Sequence, residues 1–264
     1  MQKNKRKVKI CICVTVDISL DMLFPDFYPL LLEKGYDVVG ISADGPHVEN
    51  VRRQGVRVIT VPMTRGLTFF QDLKCLWLMY KIFKDEKFDL IHYSTPKASM
   101  ICAIAGKMSR CPVLIYTLRG LIHTGFTGFK RLIIKTCDKI AFKAADYIIA
   151  ISPSLKLEAT EEKMTCLERI KVLGIGSSKG VNLDKFKMTD MVKQDALRFR
   201  RLNKIADDEV VIGYVGRLAL EKGLVELVTA FCNIQKINNN IKLLLVGDQD
   251  ERVPLPEKIM DLIR

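Results

Sequence analysis

The sequence predicts an α/β protein, with one Rossmann-like parallel-sheet domain and the opening of a second. Three observations predict it. Short apolar, β-branched runs alternate with helix-period segments between residues 8 and 173. The runs are almost continuously apolar, as in Lys9-Ile-Cys-Ile-Cys-Val14, which fits strands buried on both faces. A Gly- and Ser-rich stretch, Gly174 to Gly180, then breaks the alternation before a new strand–helix–strand unit.

The expected strands of the first part are Val8–Val16, Tyr36–Ser42, Val56–Val61, Phe88–Tyr93, Val113–Leu118, Asp146–Ile151 and Arg169–Leu173. Between them, helical spacing covers Phe69–Lys84, Lys97–Met108, Phe129–Ala144 and Pro153–Lys163. Trp77 lies in an apolar helical run with Leu73, Leu76 and Tyr80 and is expected in the core. A charged helical segment, Met191 to Ile205, precedes Val210–Val215 (strand), Leu224–Ile237 (helix) and Ile241–Val246 (strand). The expected boundaries are residues 1–186 for the first domain, 187–207 for a linking segment and 208–264 for the start of the second.

Composition narrows the class. Hydrophobic residues make up 48% of the 264, enough for a buried core. The apolar run behind Lys3, Lys5, Arg6, Lys7 and Lys9 is short and ends at Asp17, so it reads as a first strand rather than a secretory signal. The eight cysteines contain no CxxC and no zinc-like Cys/His spacing. Cys11 and Cys13 fall on one face of a strand and read as small buried apolar residues, which suits a reducing cytoplasm. The net charge is +12, yet residues 207–264 carry 7 basic and 10 acidic side chains. The basic excess therefore belongs to the first part, whose partners by charge are phosphate-bearing substrates, a membrane surface or nucleic acid. No recognition motif or interleaved aromatic stripe supports nucleic acid.

The most informative segment is Gly216-Arg217-Leu-Ala-Leu-Glu221-Lys222-Gly223, between an expected strand and helix. Ligands of open α/β sheets bind beyond the carboxyl ends of strands, where this loop falls. Gly216 allows close backbone approach. The Arg217 guanidinium offers a planar fork to phosphate oxygens. Lys222 falls where a helix start already favours anions. Together they form a candidate diphosphate site; the alternative is a solvated basic loop in which Glu221 pairs with Lys222.

At these residues the sequence resembles family 4 glycosyltransferases, which have the GT-B fold. Their second domain opens with a strand, G-R-L-x-x-E/D-K-G, a helix and a strand ending L-x-L-V-G, matched here by Gly216-Arg217-Leu218, Glu221-Lys222-Gly223 and Leu243-Leu-Leu-Val-Gly247. His92-Tyr-Ser-Thr-Pro-Lys97, Tyr116-Thr-Leu-Arg-Gly-Leu121, Ile151-Ser-Pro-Ser154 and Gly174 to Phe186 resemble a bacterial surface-polysaccharide subset. The resemblance implies transfer of a sugar, with retention, from a nucleoside-diphosphate donor to a glycan or polyprenyl-diphosphate-linked acceptor. It implies no metal and no cofactor beyond that donor. Arg217 and Lys222 would contact the donor diphosphate, and the acceptor would sit on the first domain. The family's E-x7-E element, whose carboxylates hold donor sugar and ribose, has no counterpart in residues 248–264. The chain is therefore expected to be a truncated form with half a donor site. Rival readings are a non-catalytic remnant that binds acceptor or a partner protein, and a GT-B-fold sugar-nucleotide epimerase.

Other candidates follow from the same frame. Many family members place a His against the donor sugar after the strand equivalent to Val113–Leu118. Here Arg119 holds that position and His123 follows four residues later. His123 and Arg119 are thus the candidate catalytic residues, with a backbone-bonded loop histidine as the alternative for His123. Lys97 opens a helix at another strand end and could bind an anionic acceptor, or be an exposed Lys on a Pro-started helix. Ser19, in the glycine-free first loop Asp17-Ile-Ser19-Leu-Asp21, either lines the cleft or caps the next helix. Arg131, Lys135, Lys139 and Lys143 recur every four residues, a basic stripe suited to an anionic membrane or to solvent. Asp248-Gln-Asp250 has the D-x-D pattern of metal-dependent transferases but follows a strand of a different fold type and is set aside.

Overall fold

A computed structural model describes residues 6–64, 66, 68–249 and 254–263. The basic Lys3 and Lys5 and the Asp250 of the D-x-D pattern lie outside these residues. The chain forms two compact units, dividing between Val181 and Asn182.

The first unit is a seven-stranded parallel sheet. Its strands are β1 (Lys9–Cys13), β2 (Asp37–Ser42), β3 (Arg57–Thr60), β4 (Leu90–Tyr93), β5 (Val113–Leu118), β6 (Tyr147–Ala150) and β7 (Ile170–Val172). Their spatial order is β3-β2-β1-β4-β5-β6-β7. The first helices are α1 (Asp17–Leu23), α2 (Phe27–Glu33) and α3 (Val48–Arg53). They are followed by α4 (Phe69–Glu86), α5 (Pro96–Met108), α6 (Gly128–Ala144) and α7 (Pro153–Glu161).

Strand period explains how both faces are covered. On β1, Ile10 and Ile12 point with Val14 into a core shared with Leu20, Tyr28 and Val51 of α1–α3. Cys11 and Cys13 point the other way, into a larger core with Met79 and Phe83 of α4, Ile101 of α5 and Phe142 of α6. Burial pushes the Cys11 thiol well up, so it packs as an apolar group. The chain runs outward from β1 to β3, then crosses back through α4 to β4. The order reverses between β1 and β4, and a crevice opens there beyond the strands' carboxyl ends.

Local chemistry fixes the ends. The Ser152 hydroxyl accepts the Leu155 amide at 3.1 Å and Pro153 occupies the first turn of α7, which accounts for the Ser-Pro-Ser sequence. At the amino ends of the strands, Glu86 joins Lys9 (2.5 Å) to Arg57 (2.6 Å). Arg57, then Lys9, hold the Glu86 carboxyl down to about 2.

Trp77 departs from expectation. Its side chain is 60% exposed, as is half of Leu73, while Cys75, Met79 and Phe83 supply the buried stripe of α4. The apolar run is wider than the stripe the sheet can cover, so one apolar edge remains outside.

His92 on β4 accepts or donates to Thr117 Oγ1 at 2.7 Å and meets the Phe24 ring edge-on. Burial, with the Arg119 charge nearby, lowers its pKa from 6.5 to about 4. The unfolded chain thus takes this proton first as pH falls from 6.5 towards 4. Stability present above that window is lost through it, by about 3 kcal/mol. Urea unfolding at pH 7 and pH 4.5 measures the loss; His92→Gln should flatten it, and an equal slope in both proteins would reject the assignment.

The second unit contains α8 (Asp190–Leu202), β8 (Val210–Val215), α9 (Leu224–Gln235), β9 (Ile241–Val246) and α10 (Glu257–Ile263). β8 and β9 pair in parallel over their full length. Leu224, Val228, Leu255 and Ile259 form its buried core.

Candidate functional site

In the first unit a cavity of about 680 Å³ occupies the switch point between β1 and β4. Thr15 and Thr95 line it from the strand ends, Ser19 from α1 and Lys97 from the start of α5, and Ile122, Phe126, Lys130, Ile134 and Asp138 close it from the following loop and α6. Thr95 Oγ1 accepts the Thr15 amide at 3.0 Å and lies 2.9 Å from the Thr15 hydroxyl, clamping the two strand ends together. Thr95 has φ +75°, a left-handed conformation that a β-branched residue adopts only under constraint.

Ser19 lines the cavity, but it caps nothing. Helix α1 begins two residues earlier, at Asp17, with Val16 at its cap. The carboxylates around Ser19 are committed to structure: Asp17 accepts the His47 amide, and Asp21 meets His47 Nδ1 and Asn50, each at 2.9 Å.

Lys97 is buried, and its ammonium group lies 2.5 Å from Asp72 and 2.9 Å from Thr64 Oγ1. Lys97 is therefore not the exposed lysine of the alternative reading, and it ties the start of α5 to the first turn of α4. Its charge is already matched.

His123 is fully enclosed. Its Nδ1 lies 3.0 Å from Asp138 and its Nε2 3.4 Å from Glu162. Its partners are side-chain carboxylates rather than the backbone. Lys135 and Arg131 in turn grip Glu162, holding its carboxyl down to about 2. Burial pushes the Asp138 carboxyl above its ordinary range, against the pull of His123. His123 thus reaches the cavity through Asp138.

Arg119 sits half-buried on the other side of the sheet end. It donates to the Ser178 carbonyl at 3.0 Å and to the Ser178 hydroxyl, and lies 5.3 Å from the Phe24 ring centre. Burial lowers its pKa; its Nε is buried with no hydrogen-bond partner, and it forms no salt bridge among the described residues.

Sequence reasoning missed Asp138. The signal was its phase: it falls four residues after Ile134 and three before Ala141, on the buried side of α6. An acid in that stripe needs a partner or a ligand.

In the second unit the Gly216–Gly223 loop leaves β8 at its carboxyl end. The Gly216 amide donates to the Val246 carbonyl and the Leu218 amide to the Asp248 carbonyl, both at 2.9 Å. The Tyr214 hydroxyl donates to the Arg217 carbonyl at 2.9 Å. Leu220–Lys222 make a single 3-10 turn, and Gly223, at φ +71°, turns the chain into α9. Glu221 pairs with Arg217 at 3.0 Å, rather than with Lys222, in an exposed contact. Arg217 and Lys222 therefore reach solvent just ahead of a twelve-residue helix. Gly216, Arg217 and Lys222 form one group; Ser19, Lys97 and, through Asp138, His123 form another in the first unit.

Residues 27–176 match the model of Glycosyltransferase Family 4, and residues 195–262 match Glycosyl transferases group 1. The capsular polysaccharide biosynthesis glycosyltransferase CapM of Staphylococcus aureus is 36% identical over 86% of this chain and 58% of its own length. The UDP-Gal:alpha-D-GlcNAc-diphosphoundecaprenol alpha-1,3-galactosyltransferase of Escherichia coli is 25% identical over 84% and 56%. The chain thus spans a little over half the length of these relatives. Anabaena HepE, solved in complex with UDP-glucose, superposes with TM-score 0.67 at 20% identity, covering 91% of this chain and 60% of that one. The switch-point sheet, the Gly216–Gly223 loop and a family match over more than half the residues agree: this chain belongs to glycosyltransferase family 4 and has the GT-B fold.

Proposed function

We propose that this chain supplies the acceptor domain and the donor-diphosphate loop of a retaining glycosyltransferase. The enzyme moves a hexose from a nucleoside-diphosphate sugar to a glycan or polyprenyl-diphosphate-linked acceptor during surface-polysaccharide assembly. The observation that carries this reading is the Gly216–Gly223 loop, with two cationic side chains exposed at the carboxyl end of β8 and ahead of α9. Such a loop stabilises the charge of a departing nucleoside diphosphate. The names of the relatives support the substrate classes: one builds capsule, and another acts on a diphosphoundecaprenol-linked sugar.

Within this reading the cavity over β1 and β4 takes the acceptor. Asp138 receives an acceptor hydroxyl, Ser19 lines the same cavity, and His123 is a positioning residue that fixes the Asp138 carboxylate. Arg119 adds a cation at the sheet end. Equilibrium binding tests the donor half: UDP and GDP should bind saturably, and uridine at least about tenfold more weakly, because only the diphosphate spans both cations. Equal affinity for uridine and UDP would remove the basis of the assignment.

A further inference from the structure

His123 sits between two carboxylates, and only one of them belongs to the cavity. The short turn Ile122–Gly125 brings the ring against α6 and the end of α7 and leaves none of it exposed. Nδ1 lies 3.0 Å from Asp138 Oδ2, and Nε2 lies 3.4 Å from Glu162 Oε2. Asp138 is part of the cavity wall, and Glu162 stands outside it. Glu162 has its own anchors: Arg131 holds Oε1 at 2.7 Å and Lys135 holds Oε2 at 2.5 Å. The charged groups around the ring are thus Asp138, Arg131 and Lys135 from α6 and Glu162 from the end of α7. The Tyr116 hydroxyl of β5 and the Cys137 thiol of α6 lie close enough to feel the Asp138 charge. Burial, with that charge added, raises both, so they stay neutral.

An ionised carboxylate only accepts, whereas a neutral imidazole has one N–H and one bare nitrogen. Glu162, gripped by Lys135 and Arg131, stays ionised and is an acceptor alone. Nε2 therefore carries a proton, because a bare nitrogen there would set two lone pairs against each other in a buried contact. The remaining choice falls on Nδ1. Either Nδ1 donates to an ionised Asp138, or a protonated Asp138 donates to Nδ1. Both forms have the same net charge, so the proton crosses this 3.0 Å contact without adding charge to the wall. Burial favours the neutral Asp138 carboxyl and the ring favours the ionised one, which brings the two forms closer in energy.

We infer that Glu162 is a positioning residue that acts through His123: by holding the Nε2 proton it confines proton exchange to the Nδ1–Asp138 bond, so that Asp138 meets the cavity as carboxylate or as carboxyl. A guest hydroxyl both donates and accepts, and either form matches it. An ether oxygen or an ammonium group is matched by one form only. Without Glu162, Arg131 and Lys135 would present donors alone to Nε2. The ring would then turn its bare nitrogen to them and fix its proton on Nδ1, leaving Asp138 ionised and an acceptor only. The use of this device in sugar transfer rests on the acceptor reading proposed above; the proton arrangement itself does not.

The chain has three histidines, so nitrogen NMR of histidine-labelled protein gives few ring signals, and His123→Gln assigns those of His123. At pH 7 the wild-type Nε2 should appear as a protonated nitrogen with a slowly exchanging proton, and Nδ1 between the protonated and bare positions. Glu162→Ala should invert the pattern, with Nε2 at the bare position and Nδ1 at the protonated one. Glu162→Gln should keep the wild-type pattern, because the three donors around it hold its amide oxygen in place. The His92 signal, from the opposite face of the sheet against Phe24, checks that the fold is intact. If the alanine variant does not fold, Lys135→Met supplies the second test. Glu162 Oε2 then faces the ring without its ammonium partner, and Nδ1 should move towards the protonated position. A bare Nε2 in the wild type, or ring nitrogens indifferent to these substitutions, would overturn the inference. A Glu162 that only ties α6 to α7 predicts that indifference. The spectra need neither nucleotide nor acceptor. An inverted ring without UDP binding would therefore retain the Glu162 assignment and reject the transferase reading, and UDP binding with an unmoved ring would do the opposite.

Discussion

Under the proposed function, replacing Arg217 and Lys222 together by Ala is expected to lower UDP binding by at least about a hundredfold, and any transfer or hydrolysis of a nucleoside-diphosphate sugar with it. A charge-assisted hydrogen bond contributes about 1.5–3 kcal/mol, and the pair makes at least two such bonds to a diphosphate. The Glu221–Arg217 contact does not compete strongly. Both side chains are about half exposed, and pairs of that kind are worth about 1 kcal/mol or less. Arg217→Lys should fall between wild type and the double variant, because it retains the charge but loses the planar fork. Turnover and UDP affinity unchanged in the double variant would remove the phosphate role from this loop.

Gly247→Ala should be the most damaging single substitution in the second unit. Gly247 has φ +151°, and a Cβ there would lie 1.9 Å from the Gly216 carbonyl oxygen and 2.8 Å from its carbon. Both atoms are backbone, so no rotamer change relieves the overlap. The ends of β8 and β9 would have to separate, losing the Gly216–Val246 and Leu218–Asp248 hydrogen bonds that hold the phosphate loop. A cost on the order of 4 kcal/mol or more is expected from strain of this kind together with the two lost bonds. The small core of Leu224, Val228, Leu255 and Ile259 has little with which to offset it. Hydrogen exchange at the β8 and β9 amides should accelerate and UDP binding should vanish. Gly213→Ala is the control, since nothing lies within 4 Å of its Cβ position. Normal exchange in the Gly247 variant would show that the strand ends are not locked as described.

The strands were legible because each is a short apolar run between turn residues. Val113–Leu118, Val210–Val215 and Ile241–Val246 have the expected ends to the residue. Cys11 and Cys13 share one face and are buried, as period 2 requires. Partners were harder to read, because spacing places a side chain on a face and does not say what lies opposite. Lys97 was visible at a helix start, but its neutralising Asp72 lies on α4, 25 residues earlier in sequence. His123 was visible in a loop, whereas its two carboxylates come from α6 and the end of α7. Glu221 stands beside Lys222 in sequence yet pairs with Arg217, because the chain turns back between them before the 3-10 turn begins. Trp77 failed for another reason: a helix can be apolar over a wider arc than its neighbours cover.

The Lys97–Asp72 tie gives the cavity a polarity of its own. Among the described lining residues its one buried ammonium group is matched within the wall, which also offers hydroxyls and the Asp138 carboxylate. Among the described lining residues the exposed Lys130 is the cation left unmatched. An elongated guest with a sugar at one end and a phosphate at the other would therefore meet opposite preferences at Asp138 and at Lys130. Hydroxyls are welcomed at the first, and negative charge is repelled there and attracted at the second. Such a gradient sorts the two ends of the guest before any bond is made or broken, and it sets the guest's orientation by charge alone.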